Sequence, residues 1–223
     1  MKRREFIELS AKSLGGMLIY SLAGEPIVMN AQEGTVKMPL RFFTEQEAKV
    51  VVAACERIFP ANDSGPGATQ AGVMVYIDRQ LAGPYGTDKY RYTQTPFVES
   101  IDEDNGYQGK ENPQETYRAG IQKLGADFVE LVGVKQDERL KAIEKTHFFE
   151  LLRSHTIEGM FCDPMHGGNA DMIGWQLIGY PGPLMSYRKE IDKYNGVAYR
   201  RQPQSLTQIL RHPVKPWEDE ERG

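Results

Sequence analysis

Cysteine is scarce in this 223-residue chain: Cys55 and Cys162 are the only two. That excludes a disulfide-stapled mini-domain, a four-cysteine zinc site and a CxxCH haem attachment. Histidine is nearly as sparse, with His147, His155, His166 and His212 alone. An excess of basic charge is missing too. The net charge is -4, so nothing provides the basic face that nucleic acid would need. No apolar run reaches the ~20 residues of an ordinary membrane span. There is no dinucleotide-binding GxGxxG, no internal repeat and no low-complexity tract. What is present is a globular composition, 40% hydrophobic and 26% charged, enough for one sizeable buried core at this length. The two cysteines permit one disulfide, but Cys55 lies on an apolar helical stripe and reads equally well as a buried free thiol.

The N-terminus has the layout of a secretory signal. Lys2, Arg3 and Arg4 form a positive n-region, Leu14–Ala23 a weakly apolar h-region, and Ser21-Leu22-Ala23 a small-residue cleavage site. Arg3-Arg4 followed by Phe6 resembles the twin-arginine export signal, which carries folded proteins across the inner membrane. An amphipathic first helix is the competing reading, and Gly15-Gly16 opposes it, because glycine costs about 1 kcal/mol in a helix interior. Residues 1–23 are therefore assigned as the signal and 24–40 as a tether, which places the protein in the periplasm.

From there the pattern is mainly α, a single helical domain over 41–199 with long ordered loops. Thr44 and Glu47 make a capping box, and Ala48, Val51, Val52, Cys55, Ile58 and Phe59 recur at helical spacing until Pro60. A second helix is expected from about Gln70 to Leu81. Residues 83–112 carry no helical period and read as a long loop, a length that is usually functional or packed on a partner. Pro113 opens a helix running to Gly125. Further helices are expected at 126–132, 136–145 and 146–156, the last with Phe148, Leu151, Leu152 and His155 on one face. No strand pair with a hairpin turn is evident. Residues 200–223, with Pro203, Pro213 and Pro216, read as an extended tail.

Gly159–Gly182, reading GMFCDPMHGGNADMIGWQLIGYPG, is the most informative stretch. Cys162, Asp163, His166 and Asp171 are potential metal ligands or acid–base groups. A stand-alone periplasmic metalloenzyme would use Asp163, His166 and Asp171, although their spacing matches no metal signature. Local structure accounts for most of the same residues. Asp163-Pro164 starts a turn and Gly167-Gly168 permits close backbone approach. Asn169 caps a short helix from Met172 to Ile178 with Asp171 in its first turn, and Gly179 stops that helix. Phe161, Trp175 and Tyr180 are either core or an aromatic interface.

The residues 158–164, Gly167-Gly168-Asn169, Asp171, Gly174-Trp175 and Leu177–Gly182 resemble the signature of the gluconate 2-dehydrogenase subunit 3 family. The likeness extends to Arg3-Arg4 and to Phe43-Thr44 through Phe59-Pro60. His166 departs from it, since a Tyr is expected before the glycine pair. The resemblance implies a small (gamma) subunit of a bacterial FAD-dependent sugar or sugar-acid dehydrogenase, non-catalytic and holding no cofactor or metal of its own. FAD would sit in a catalytic partner subunit of the glucose-methanol-choline type. A multihaem cytochrome c subunit, where present, would pass electrons on at the inner membrane. This chain would assist maturation of the flavoprotein and lend it the twin-arginine signal formed by Arg3, Arg4 and Phe6. The candidate partner surface is the 83–112 loop with Gly159, Phe161, Asp163, Pro164, Gly167, Gly168, Asn169, Asp171, Gly174, Trp175, Tyr180, Pro181 and Gly182. A periplasmic binding module without a dehydrogenase partner is the remaining alternative.

Overall fold

The computed structural model describes residues 19–20, 26–27, 39–91, 95, 97, 107–184, 193–197 and 201–211. Arg3, Arg4, Phe6 and most of the signal and tether lie outside the described residues, as do the middle of the 83–112 loop and 212–223. The described part is mainly α, as the periodicity predicts. Its strand content is one antiparallel pair, β1 (Ile19–Tyr20) with β2 (Pro26–Ile27), which the sequence did not suggest.

The first long helix, α1 (Glu45–Ile58), starts where the capping box places it. Thr44 Oγ1 accepts from the Glu47 amide, and the Glu47 carboxylate accepts from the Thr44 amide at 2.8 Å. Helix α2 (Val73–Ala82) begins three residues later than expected, after Gly72 takes a left-handed conformation (φ 69°). Helix α3 (Pro113–Leu124) has the proline in its first turn and a second capping box, Asn112 with Glu115. The next expected helix is a 3-10 turn, Ala126–Glu130. Helix α4 (Gly133–Ala142) is shifted three residues toward the N-terminus. Helix α5 (His147–Phe161) is capped by Thr146 and runs five residues past its predicted end. Gly159, beyond that predicted end, is an interior residue of the helix on the face that α2 approaches. Two 3-10 turns, Pro164–His166 and Ala170–Met172, lead into the short α6 (Ile173–Ile178). The stretch expected to be extended contains α7 (Leu206–Arg211).

Helix α5 is the axis of the fold and packs on α1, α2, α3 and α6. Val50, Val51, Val73, Ile77, Leu81, Tyr117, Leu124, Phe128, Leu152 and Met160 are fully buried around it, each large side chain contributing roughly 1.5–3 kcal/mol of apolar burial. The chain entering α1 is fixed by one buried carboxylate. Asp78 of α2 accepts the successive amides of Arg41, Phe42 and Phe43 at 2.7, 3.0 and 3.0 Å. Consecutive N–H groups converging in this way form a nest for negative charge. Among the described residues, no helix is long and apolar enough to cross a membrane.

Candidate functional site

The last carbonyls of a helix have no partner within it and need one from elsewhere when buried. At the C-terminus of α5 the Gly159–Gly182 segment folds back and supplies them. The Asn169 amide donates to Gly159 O at 2.7 Å. Asn169 Nδ2 donates to Cys162 O at 2.8 Å, and Trp175 Nε1 donates to Phe161 O at 2.7 Å. Asn169 Oδ1 then accepts the Gly174 amide at 2.8 Å, tying α6 to the same point. The backbones approach so closely that two glycines are obligatory. A Cβ on Gly168 would lie 2.2 Å from Gly159 O, and one on Gly174 1.9 Å from Met160 O.

This corrects the local reading of Asn169. It holds the cap position of the 3-10 turn Ala170–Met172, with Asp171 in that turn, and not that of the α-helix behind it. Asn169, Asp171 and Met172 all take left-handed conformations (φ 46°, 52° and 59°), and Met172 occupies the cap position of α6. Asn169 caps from a distance, fully buried, because its amide can serve the end of α5 and the start of α6 together. Asp171 is exposed and contributes its backbone carbonyl, which accepts from Gln176 Nε2.

Asp163 does start the turn, with Pro164 behind it: its Oδ1 accepts the Met165 amide at 3.0 Å. Its Oδ2 accepts the Leu206 amide at 2.7 Å, so it also anchors α7. Gly167 (φ 103°) closes the 3-10 turn and Gly179 (φ 69°) closes α6. Pro181 O accepts the Gln204 amide beside the buried Gly182, a second clip on the C-terminal segment. The metal reading finds no geometry here. Asp163 is committed to amides, His166 is exposed, and among the described residues no three His, Cys, Asp or Glu side chains converge. Cys55 and Cys162 are both free thiols.

The three aromatics divide between the alternatives. Trp175 is core, 4% exposed, with Tyr180 edge-on at 5.1 Å. Phe161 is half-buried against Phe59. Tyr180 is exposed beside Leu177 and Ile178. At the base of the 83–112 loop, Arg91 binds the Asp88 carboxylate and the carbonyls of Tyr107, Gly109 and Glu111. Tyr107 stacks on His147 at 3.6 Å.

The sequence reading missed a polar chain along α5, buried at Tyr117 and His155. His155 Nδ1 is 2.8 Å from the Tyr117 hydroxyl and Nε2 is 2.9 Å from the Tyr85 hydroxyl. One turn on, Glu158 accepts the Tyr76 hydroxyl at 2.7 Å. Burial holds the imidazole below its ordinary range, opposed by the Glu158 charge. Burial also raises all three phenols, Tyr85 to about 12. His155 on an apolar face was the only sequence signal, because its partners come from distant elements.

The arrangement is therefore a helix terminus closed by its own chain, with an exposed apolar edge on α6. Comparison with known proteins gives a match to the family described as gluconate 2-dehydrogenase subunit 3, over residues 45–182. No curated protein and no solved structure matches the chain. The matched span runs from the start of α1 to the end of the folded-back segment and takes in well over half the sequence, so the chain belongs to the gluconate 2-dehydrogenase subunit 3 family.

Proposed function

We propose that this protein is the non-catalytic accessory subunit of an exported dehydrogenase complex. Its partner is a FAD-containing catalytic subunit of the glucose-methanol-choline type that oxidises a sugar or sugar acid. The family match carries this reading, since it places the chain as one subunit of a dehydrogenase. The geometry supports it: Asn169 and Trp175 of the signature segment are taken up in closing α5 and Asp163 in anchoring α7, while Leu177, Ile178 and Tyr180 offer apolar surface to a partner.

The chain carries no cofactor in this reading. It stabilises the flavoprotein while FAD is inserted in the cytoplasm, and the Arg3-Arg4-Phe6 signal takes the folded pair to the periplasm. There the complex sits at the inner membrane with a cytochrome c subunit where one is present. Such co-export demands an interface that survives transport, of about 1,000 Å² or more. The exposed Leu177, Ile178 and Tyr180 and the 83–112 loop are the surfaces proposed for it.

The test is to change Arg3 and Arg4 together to Lys in the full-length chain, expressed with its partner. Dehydrogenase activity and bound FAD should remain in the cytoplasmic fraction while both proteins stay associated. Undiminished periplasmic activity in that variant would defeat the co-export role.

A further inference from the structure

We propose that His155, held between Tyr117 and Tyr85, is an acid-sensitive latch that keeps the segment from Gly83 to Arg91 on the helical core. The segment belongs to the 83–112 loop offered above as a partner surface, but the latch rests on contacts within this chain and its test needs no partner.

Hydrogen accounting fixes how the latch is made. A neutral imidazole has one N–H donor and one acceptor nitrogen. The Tyr117 hydroxyl is fully buried, and His155 Nδ1 is the partner it meets. Its O–H must donate there, because a buried donor left unpaired costs about 1–3 kcal/mol. Nδ1 is then the acceptor and Nε2 carries the proton, donating to the Tyr85 oxygen at 2.9 Å. Tyr85 is 39% exposed, so its own O–H reaches water. Its ring stands edge-on to the imidazole at 5.4 Å and covers it from that side.

Protonation at Nδ1 sets two donors against each other across 2.8 Å inside the core. Tyr117 lies stacked on the imidazole in the core and cannot turn its hydroxyl to solvent. The imidazolium gains hydration only on the Tyr85 side, by displacing the segment that covers it. The groups facing His155 do not prevent this. Tyr76 from α2, Tyr117 from α3 and Cys55 from α1 are neutral in mild acid, burial having raised each of them. Glu158 on α5, exposed and bonded to the Tyr76 hydroxyl, favours the charged imidazole and so acts against its burial, without supplying an acceptor for the Tyr117 hydroxyl. His147, at the start of α5, repels it once charged.

The experiment is hydrogen exchange on the full chain between pH 7.5 and 5, corrected for intrinsic rates. The reporters are the amides of Gly86, Asp88, Lys89 and Arg91, which bond to carbonyls within the same segment. Their protection should be constant above pH ~6.5 and fall by up to about ten-fold per pH unit below it. The amides of α1 should hold theirs. His155→Phe should abolish the pH response, and Glu158→Gln should keep it. Nitrogen-15 NMR of the unmodified protein at pH 7.5 provides a readout that needs no variant, with Nδ1 expected bare and Nε2 protonated. The opposite tautomer, or segment protection that ignores pH while His155 titrates, or a pH response that persists in His155→Phe, would overturn the latch.

Discussion

Asn169 shows how much one side chain can hold. Its two amide ends join the terminus of α5 to the start of α6, and its own backbone amide caps Gly159 O. Its φ of 46° also lies in the region that asparagine tolerates better than most residues. Asn169→Ala removes two buried hydrogen bonds and keeps the left-handed backbone. It should cost about 2–4 kcal/mol, read as a lowered midpoint in urea with an unchanged slope. The cysteines make a separate prediction. Burial pushes the Cys55 thiol up to about 12 and the Cys162 thiol to about 11. Because the thiolate is the reactive form, neither should be alkylated appreciably at pH 7.5 in the folded chain. Both should react at once in denaturant, and fast labelling of Cys55 without unfolding would contradict its burial.

At the scale of elements, the closure of α5 depends on long-range bonds, and that explains what the sequence could and could not show. The starts of α1 and α3 were legible because Thr44 with Glu47, and Pro113, signal locally, and the Asn112–Glu115 box adds a second local signal at α3 that the reading did not use. The end of α5 was not legible. The helix was expected to end at Thr156, and the partners of its terminal carbonyls lie 7 to 14 residues further on, in Asn169 and Trp175. Asp78 and the Tyr117–His155–Tyr85 chain were invisible for the same reason, since each joins residues more than 30 positions apart. The glycines and the asparagine of the signature were visible as shaped backbone. What they shape, a cap on another helix, required the fold. Trp175→Phe separates the two contributions of the indole. The ring packing is kept and the donor to Phe161 O is lost, so about 1–2 kcal/mol should disappear. Gly168→Ala, which drives a methyl into the Gly159 carbonyl, should be far more damaging than the usual cost of about 1 kcal/mol for a point substitution. A thermal melt of the two variants side by side ranks them, and equal effects would mean that the close approach at Gly168 is relaxed in solution.

For the whole molecule, the family was readable from the 158–182 signature, and the match over 45–182 bears it out. The reason is physical: that segment must satisfy a helix terminus, two tight approaches and three left-handed residues at once, which leaves little freedom in its sequence. The proposed partner surface was less readable, because Gly159, Gly168, Asn169, Gly174, Trp175 and Gly182 of the signature are buried, and the exposed Leu177, Ile178 and Tyr180 carry no pattern of their own. The central claim is that this chain works as one subunit beside a flavoprotein. The most direct measurement is purification of the full-length chain from its native host through a C-terminal tag, followed by flavin quantitation and sugar-acid oxidation with an artificial electron acceptor. The account predicts a stoichiometric FAD-containing dehydrogenase in the eluate, with the activity leaving the chain when the two are dissociated. A chain that elutes alone, or that keeps oxidising substrate after the flavoprotein is removed, would contradict it.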